Sequence, residues 1–149
     1  EAMVFGMGDY SASQGVNVRA IGGDGGYPGD IWHYQRQRLV IACRSAGIDP
    51  IDGPFGNFKD DEGYRRECTR SSILGCVGKW AIHPAQVPHS QEIYSPNLED
   101  VAHARKIAAA YDEAVANGQG AAQVDGTMID AASVRIVQNT VDKADLYGM

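Results

Sequence analysis

The chain has 149 residues, 44% of them hydrophobic, with 13 Lys and Arg against 19 Asp and Glu, a formal net charge of −6. That apolar fraction is enough for a core and excludes a wholly disordered chain. The acidic balance excludes a surface built for nucleic acid, which needs clustered Lys and Arg. No apolar run approaches the roughly 20 residues of a membrane-crossing helix, and no basic-apolar-small leader opens the sequence, so a protein that neither spans a membrane nor is exported is expected.

The first strand is expected over Ala2 to Gly6, where Ala2-Met3-Val4-Phe5 reads as a strand buried on both faces. Chains rarely begin in mid-core, so a piece of a longer protein is expected. Polar residues Met7 to Tyr10 follow, and Ser11 to Gly29, punctuated by Gly15, Gly22, Gly23, Gly25 and Gly26, reads as one long loop. Asp30 caps a helix over Ile31 to Ala46, with Trp32, Leu39, Ala42, Cys43 and Ala46 near one face, and Gly47 stops it. Ile48 to Asp52 is the second strand. A helix follows from Asp60 and Asp61 to Leu74, and Lys79 to Ile82 is the third strand. Strand, helix, strand, helix, strand predicts parallel βαβ units in an α/β fold.

The pattern then changes. A short helical piece lies around Ala85 to Gln91, and Ser95-Pro96-Asn97 signals the start of a long helix. Val101, Ala104, Ala108, Tyr111 and Val115 recur at helical spacing in it, and Asn117-Gly118 ends it. Gly118 to Met128 holds a candidate hairpin at Asp125-Gly126, and a last helix starts at Ile129 or Asp130 with Val134, Val137, Val141 and Ala144 as its stripe. No strand is expected between these two helices, so residues 1–94 read as βα units and residues 95–149 as a helical extension. The three cysteines, Cys43, Cys68 and Cys76, are odd in number and lack C-x-x-C spacing. They predict small core residues kept as reduced thiols in a cytoplasmic protein, without a disulfide frame or zinc site.

Ligands in parallel α/β proteins bind at the carboxyl ends of the strands. That rule selects Gly8-Asp9, Asp52-Gly53-Pro54 and Ile82-His83-Pro84. Asp9 suits a hard divalent cation, or else caps the following turn. His83 reads as a base, a metal ligand or a satisfied structural histidine, and Asp52 as a turn former before a functional acid. Asp130 is a helix N-cap by its position. Lys59 to Glu62 with Arg65-Arg66 reads as a solvated helix start. The glycines from Gly22 to Gly26 lack the phosphate-loop pattern and carry no nucleotide site.

The strings Gly6-Met7-Gly8-Asp9-Tyr10-Ser11-Ala12-Ser13, Asp52-Gly53-Pro54-Phe55-Gly56-Asn57-Phe58, Gly78-Lys79-Trp80-Ala81-Ile82-His83-Pro84-Ala85-Gln86-Val87 and Gly126-Thr127-Met128-Ile129-Asp130, with Asp60 to Tyr64, cover nearly the whole chain in order. Together they resemble the malyl-CoA and β-methylmalyl-CoA lyase branch of the citrate-lyase-β-like enzymes, related to the HpcH/HpaI aldolases. The resemblance implies the C-terminal part of a TIM (β/α)8 barrel, strands six to eight, followed by a helical C-terminal lid. A barrel takes about 250 residues, so a further N-terminal half is implied, and activity only together with it.

Residue by residue, Asp9 matches the family's Mg²⁺-binding aspartate (Mn²⁺ being the alternative ion), whose glutamate partner and catalytic arginine would lie upstream. Gly8 and Asp9 match the backbone beside the substrate carboxylate, and Ile82 and His83 match positions contacting the CoA thioester. Asp130 matches the lid aspartate, an acid/base that reaches a neighbouring subunit of a homo-oligomer. The implied reaction is reversible cleavage of malyl-CoA or β-methylmalyl-CoA to glyoxylate and acetyl-CoA or propionyl-CoA. The loop from Gly15 to Gly29 varies in the family and bears on substrate preference. Alternatives are a citramalyl-CoA lyase, a citrate lyase β-subunit, a malyl-CoA thioesterase, a CoA-independent aldolase, or a non-catalytic fragment that binds CoA or assembles with a partner.

Overall fold

A computed structural model describes residues 1–149. The chain forms two compact units, Glu1–Tyr94 and Ser95–Met149. The first contains β1 (Ala2–Val4), α1 (Met7–Gln14), α2 (His33–Ala46), β2 (Asp49–Asp52), α3 (Asp61–Ile73), β3 (Gly78–Lys79), a 3-10 turn at Pro84–Gln86 and α4 (Val87–Tyr94). The strands pair in parallel in the order β1-β2-β3, with Val4 beside Ile51 and Asp52 beside Lys79. The expected α/β alternation is therefore present, as a small sheet.

Several local expectations need correction. Residues from Met7 to Gln14 are helical, so the loop begins at Gly15, whose left-handed backbone (φ 64) ends α1. Their composition is poor for a helix, which is why the pattern hides it. β1 stops at Val4 and all three of its residues are exposed, where a strand buried on both faces was expected. β3 covers Gly78–Lys79, not Lys79 to Ile82, and Trp80 and Ile82 are about half exposed. In α2 the buried face is Trp32, Arg36, Leu39 and Cys43, while Ala42 and Ala46 are exposed. Asp30 caps the turn before α2 by accepting from the Trp32 amide at 2.9 Å. The α3 start lies where the acidic pair placed it, and Asp60 does more than supply charge: its carboxylate caps the helix by accepting from Gly63 N at 2.9 Å.

The core of this unit is Leu39, Cys43, Phe55, Tyr64, Cys68, Cys76 and Tyr94, with Phe5, Val40, Ile48 and Ile93 against it. All three cysteines are free and buried, as their spacing predicted. Burial pushes the Cys68 thiol up to about 11 and the Cys76 thiol up to about 12, so both stay protonated and inert.

Across this apolar core runs a buried chain of charges. Arg36 of α2 donates through Nε to Asp52 Oδ1 at 3.0 Å and through a terminal nitrogen to Oδ2 at 3.1 Å. It also binds Asp30 at 3.1 Å and Glu67 of α3. Lys79 Nζ reaches Asp52 Oδ2 at 2.7 Å, and Arg70 reaches Glu67 at 3.0 Å. The side chains of Arg36, Asp52 and Lys79 are fully buried. Asp52 is thus a structural ion at the end of β2, not chiefly a turn former. Three cations face three anions, so no net charge is left in the interior.

The second unit is α5 (Leu98–Ala116), a β4–β5 hairpin (Ala122–Val124 and Thr127–Ile129) and α6 (Ala131–Tyr147), so two short strands stand between the helices where none was expected. Asn97 caps α5 through Asp100 N at 2.7 Å. The hairpin turns at Asp125 (φ 48) and Gly126 (φ 82), both left-handed as a two-residue turn requires. Ile107, Val124 and Ile129 form its core, with Tyr111, Val134 and Val137 against it. Val115, expected in the α5 stripe, is exposed. No helix in either unit is long and apolar enough to cross a membrane.

Replacing Asp52 by Ala leaves Arg36 and Lys79 buried without their shared partner. A loss of about 3–5 kcal/mol in urea unfolding is expected. Burial pulls the Asp52 carboxyl upward, but Lys79 and Arg36 outweigh it and hold it below the ordinary carboxylate range. Because the folded group titrates below the unfolded one, its stabilisation is complete above roughly pH 4 and is lost as pH falls through the folded value. Asp52→Asn is expected to remove that part of the acid dependence.

Candidate functional site

Three segments meet at the carboxyl end of the parallel sheet. The loop after β1 and α1 passes over the loop after β2: Gly56 N donates to Ile21 O at 2.7 Å. Gly22 (φ 79) makes this crossing close, since a Cβ there would stand 2.6 Å from Pro54 O. The loop after β2 is tied in turn to the segment after β3 by Gln86. Its Nε2 donates to Phe55 O at 2.9 Å, and its Oε1 accepts from the amides of Ile82 at 2.9 Å and His83 at 3.3 Å. Gln86 is buried.

Gly8 lies on α1 and lines an open groove of about 660 Å3 together with Ser11, Ala12 and residues 15–21, including Arg19. Asp9 sits in the first turn of α1, exposed, where its charge also suits the helix N-terminus. His83 caps the 3-10 turn by accepting the Ala85 amide at Nδ1 (3.2 Å), so a neutral ring carries its proton on Nε2. Its ring stacks on Phe58 with centroids 4.5 Å apart and planes 15° from parallel. Ile82 and His83 are both exposed. The structure brings Ile82 and His83 together with Phe58 and Gln86, and the crossing loop joins them to the Gly8 groove through Ile21 and Gly56.

No group of three or more His, Cys, Asp or Glu side chains is placed to hold a metal. Asp9 offers a single hard oxygen donor, the kind of ligand Mg²⁺ takes one or two of while keeping waters. In kind it fits; a second protein ligand is not beside it.

Asp130 belongs to the second unit. It caps α6, with Oδ1 accepting from Ala132 N and Ser133 N, both at 2.9 Å, and from Ser133 Oγ at 3.1 Å. The Ser133 bonds, amide first and hydroxyl next, hold the Asp130 carboxyl below its ordinary range. Oδ2 receives no donor from the protein.

Sequence reasoning gave no role to Gln86, Arg36, Lys79 or Glu67. The signal for Gln86 was the His83-Pro84-Ala85-Gln86 spacing, a capping box with histidine as the cap. The signal for Lys79 was a cation opening the apolar run Trp80-Ala81-Ile82, and for Arg36 its helical spacing from Trp32 and Leu39 on the buried face. Removing the latch by Gln86→Ala leaves Phe55 O and the Ile82 amide unpaired. A cost of about 1–3 kcal/mol is expected, with faster hydrogen exchange at the Ile82 and His83 amides than at Cys68.

Comparison with known proteins gives a consistent kinship. The chain is 43% identical to the L-malyl-CoA/β-methylmalyl-CoA lyase of Cereibacter sphaeroides over 156 aligned positions, covering 98% of this chain and 49% of that enzyme. The chain thus spans about half the length of the curated relatives it matches. A citrate lyase from Burkholderia xenovorans shares the fold at TM-score 0.80 and 21% identity, over 99% of this chain and 46% of its own. The CitE protein of Mycobacterium tuberculosis, solved with magnesium, acetoacetate and coenzyme A, matches at TM-score 0.75 and 26% identity, over 96% of this chain and 51% of its own. The profile of the C-C bond lyases of the TIM-barrel fold matches residues 30–149, and the chain belongs to that family.

Proposed function

We propose that this chain is part of an acyl-CoA carbon–carbon lyase that reversibly cleaves malyl-CoA or β-methylmalyl-CoA to glyoxylate and acetyl-CoA or propionyl-CoA. The observation that carries the reading is 43% identity to such lyases along nearly the whole chain, with Gly8 and Ile82-His83 on loops joined at one end of a parallel sheet. In this reading β1, β2 and β3 are barrel strands six, seven and eight. Residues 95–149 are the lid that serves a neighbouring subunit of a homo-oligomer, in a cytoplasm that keeps the thiols reduced.

The groups divide the work as follows. The exposed Ile82-His83 segment faces the acyl-CoA thioester, and the backbone at Gly8-Asp9 faces the glyoxylate carboxylate. Asp9 is the residue of this chain that would hold Mg²⁺ (or Mn²⁺), completed by a glutamate on a strand outside this sequence. Such an ion, when bound, supplies Lewis acidity toward the glyoxylate oxygens. In the condensation direction, the ionised Asp130 takes a proton from the carbon next to the thioester carbonyl, and the C–H electron pair becomes the enolate that attacks glyoxylate. The CitE neighbour was solved with magnesium and coenzyme A, which supports the same ligand classes here.

The test uses the longest natural polypeptide that carries this chain, assayed for glyoxylate release from malyl-CoA. Asp130→Asn is expected to lower kcat at least about 100-fold with unchanged circular dichroism. Asp9→Asn is expected to abolish stimulation by Mg²⁺. Full turnover in Asp130→Asn, or release of free malate in place of glyoxylate, would contradict the reading.

A further inference from the structure

Asp130 is held by a cap that is unlike a simple N-terminal serine or aspartate bond. Three donors converge on one oxygen: the amides of Ala132 and Ser133 at 2.9 Å each and the Ser133 hydroxyl at 3.1 Å. The same Ser133 hydroxyl accepts from the Asp130 amide at 3.3 Å, so the aspartate and the serine grip each other at both backbone and side chain. Oδ1 has no capacity left for a further partner in the plane of the carboxylate, and Oδ2 is open.

We propose that Ser133 is a positioning residue for the acid/base step, committing Asp130 Oδ1 to the helix cap so that Oδ2 is the atom that carries the proton. This inference rests on the reading of Asp130 as the acid/base. The hydroxyl reinforces the two amides in two ways. It fixes the rotation of the carboxylate about its last bond, which decides which oxygen meets the substrate. It also donates more strongly to the ionised carboxylate than to the neutral acid, whose Oδ1 is then a weaker carbonyl acceptor, so it favours the ionised form that acts as a base.

The surroundings leave the hydroxyl as the adjustable part. β4 and β5 carry no titratable side chain. On α5, Arg105 is paired with Asp145 of α6 at 2.8 Å, and Lys106 with Asp125 of the hairpin turn at 2.6 Å. Arg135, on Asp130's own helix, is the charged side chain that acts on it, more weakly than the Ser133 and Ala132 bonds. The serine is therefore the side chain whose removal changes the carboxylate most while leaving the two cap amides in place.

The test compares Ser133→Ala with Ser133→Thr, which keeps a hydroxyl at the same reach. Two readouts are used: carbon-13 NMR titration of the Asp130 carboxyl, and the pH profile of condensation by the longest natural polypeptide that carries this chain. In Ser133→Ala the titration and the acid limb of the rate are expected to move together to higher pH. The rate on that limb falls about fivefold relative to the plateau, the factor for one lost hydrogen bond. Ser133→Thr is expected to restore both, with the helix content of all three proteins equal by circular dichroism. An Asp130 titration unmoved by Ser133→Ala, or moved equally by Ser133→Thr, overturns the role of Ser133. Full turnover in Asp130→Asn overturns the reading of Asp130 instead, and the two failures are separable because the NMR titration does not depend on turnover.

Discussion

The first unit is organised around one buried carboxylate. Asp52 stands where β2 ends, and both cations that bind it arrive from other elements: Arg36 from α2 and Lys79 from the end of β3. Through Arg36 the same network extends to Asp30 before α2 and to Glu67 on α3. Burying such charges is costly, and each is tolerated only because its partners are in place with hydrogen-bond geometry. A consequence is that the register of β2 with β3, and the seating of α2 and α3, are fixed by directional bonds at the end of the sheet where the carboxyl-end loops begin. An apolar core alone accepts small slips; a carboxylate between two buried cations does not.

The loops inherit that precision by short links. Trp80 N donates to Asp52 O at 3.0 Å, so the segment leading to Ile82 and His83 departs from the network itself. Gln86 then closes the segment back onto Phe55, three residues beyond Asp52. The crossing loop at Ile21 and Gly22 is packed over the same Pro54-Phe55 backbone. The backbone of these loops is thus tied to the network by hydrogen bonds. The exposed face that remains, His83 stacked on Phe58 with Ile82 beside it, has the mixed aromatic and polar character of a ligand surface.

Local chemistry was the legible part of the sequence. Asp130 caps its helix as predicted, the helix starts signalled at Asp60 and Asn97 are where those residues stand, Gly47 ends α2, and Asp125-Gly126 makes the hairpin turn. What failed were features decided by partners far away in the chain. The apolar letters of Trp80-Ala81-Ile82 read as strand, yet pairing ends at Lys79 and two of those side chains are half exposed. Arg36 had no place in the expected core, yet Asp52 and Glu67, 16 and 31 residues away, hold it there. The short helix Met7–Gln14 was hidden because glycine and serine weaken its local signal. For the site, the motif strings led to Gly8, Asp9, Ile82, His83 and Asp130. The supports of those residues, Gln86 and Ser133, became visible only as hydrogen bonds.

The central claim is that an acyl-CoA thioester binds where the sheet's carboxyl-end loops converge. Backbone amide NMR of the protein during titration with acetyl-CoA tests it most directly. The account predicts saturable shifts at Gly8, Ile82 and His83, with little change at Arg44 and Gly75 on the far side of the strands. Saturable shifts confined to residues away from these loops, or no shift at millimolar acetyl-CoA, would contradict it.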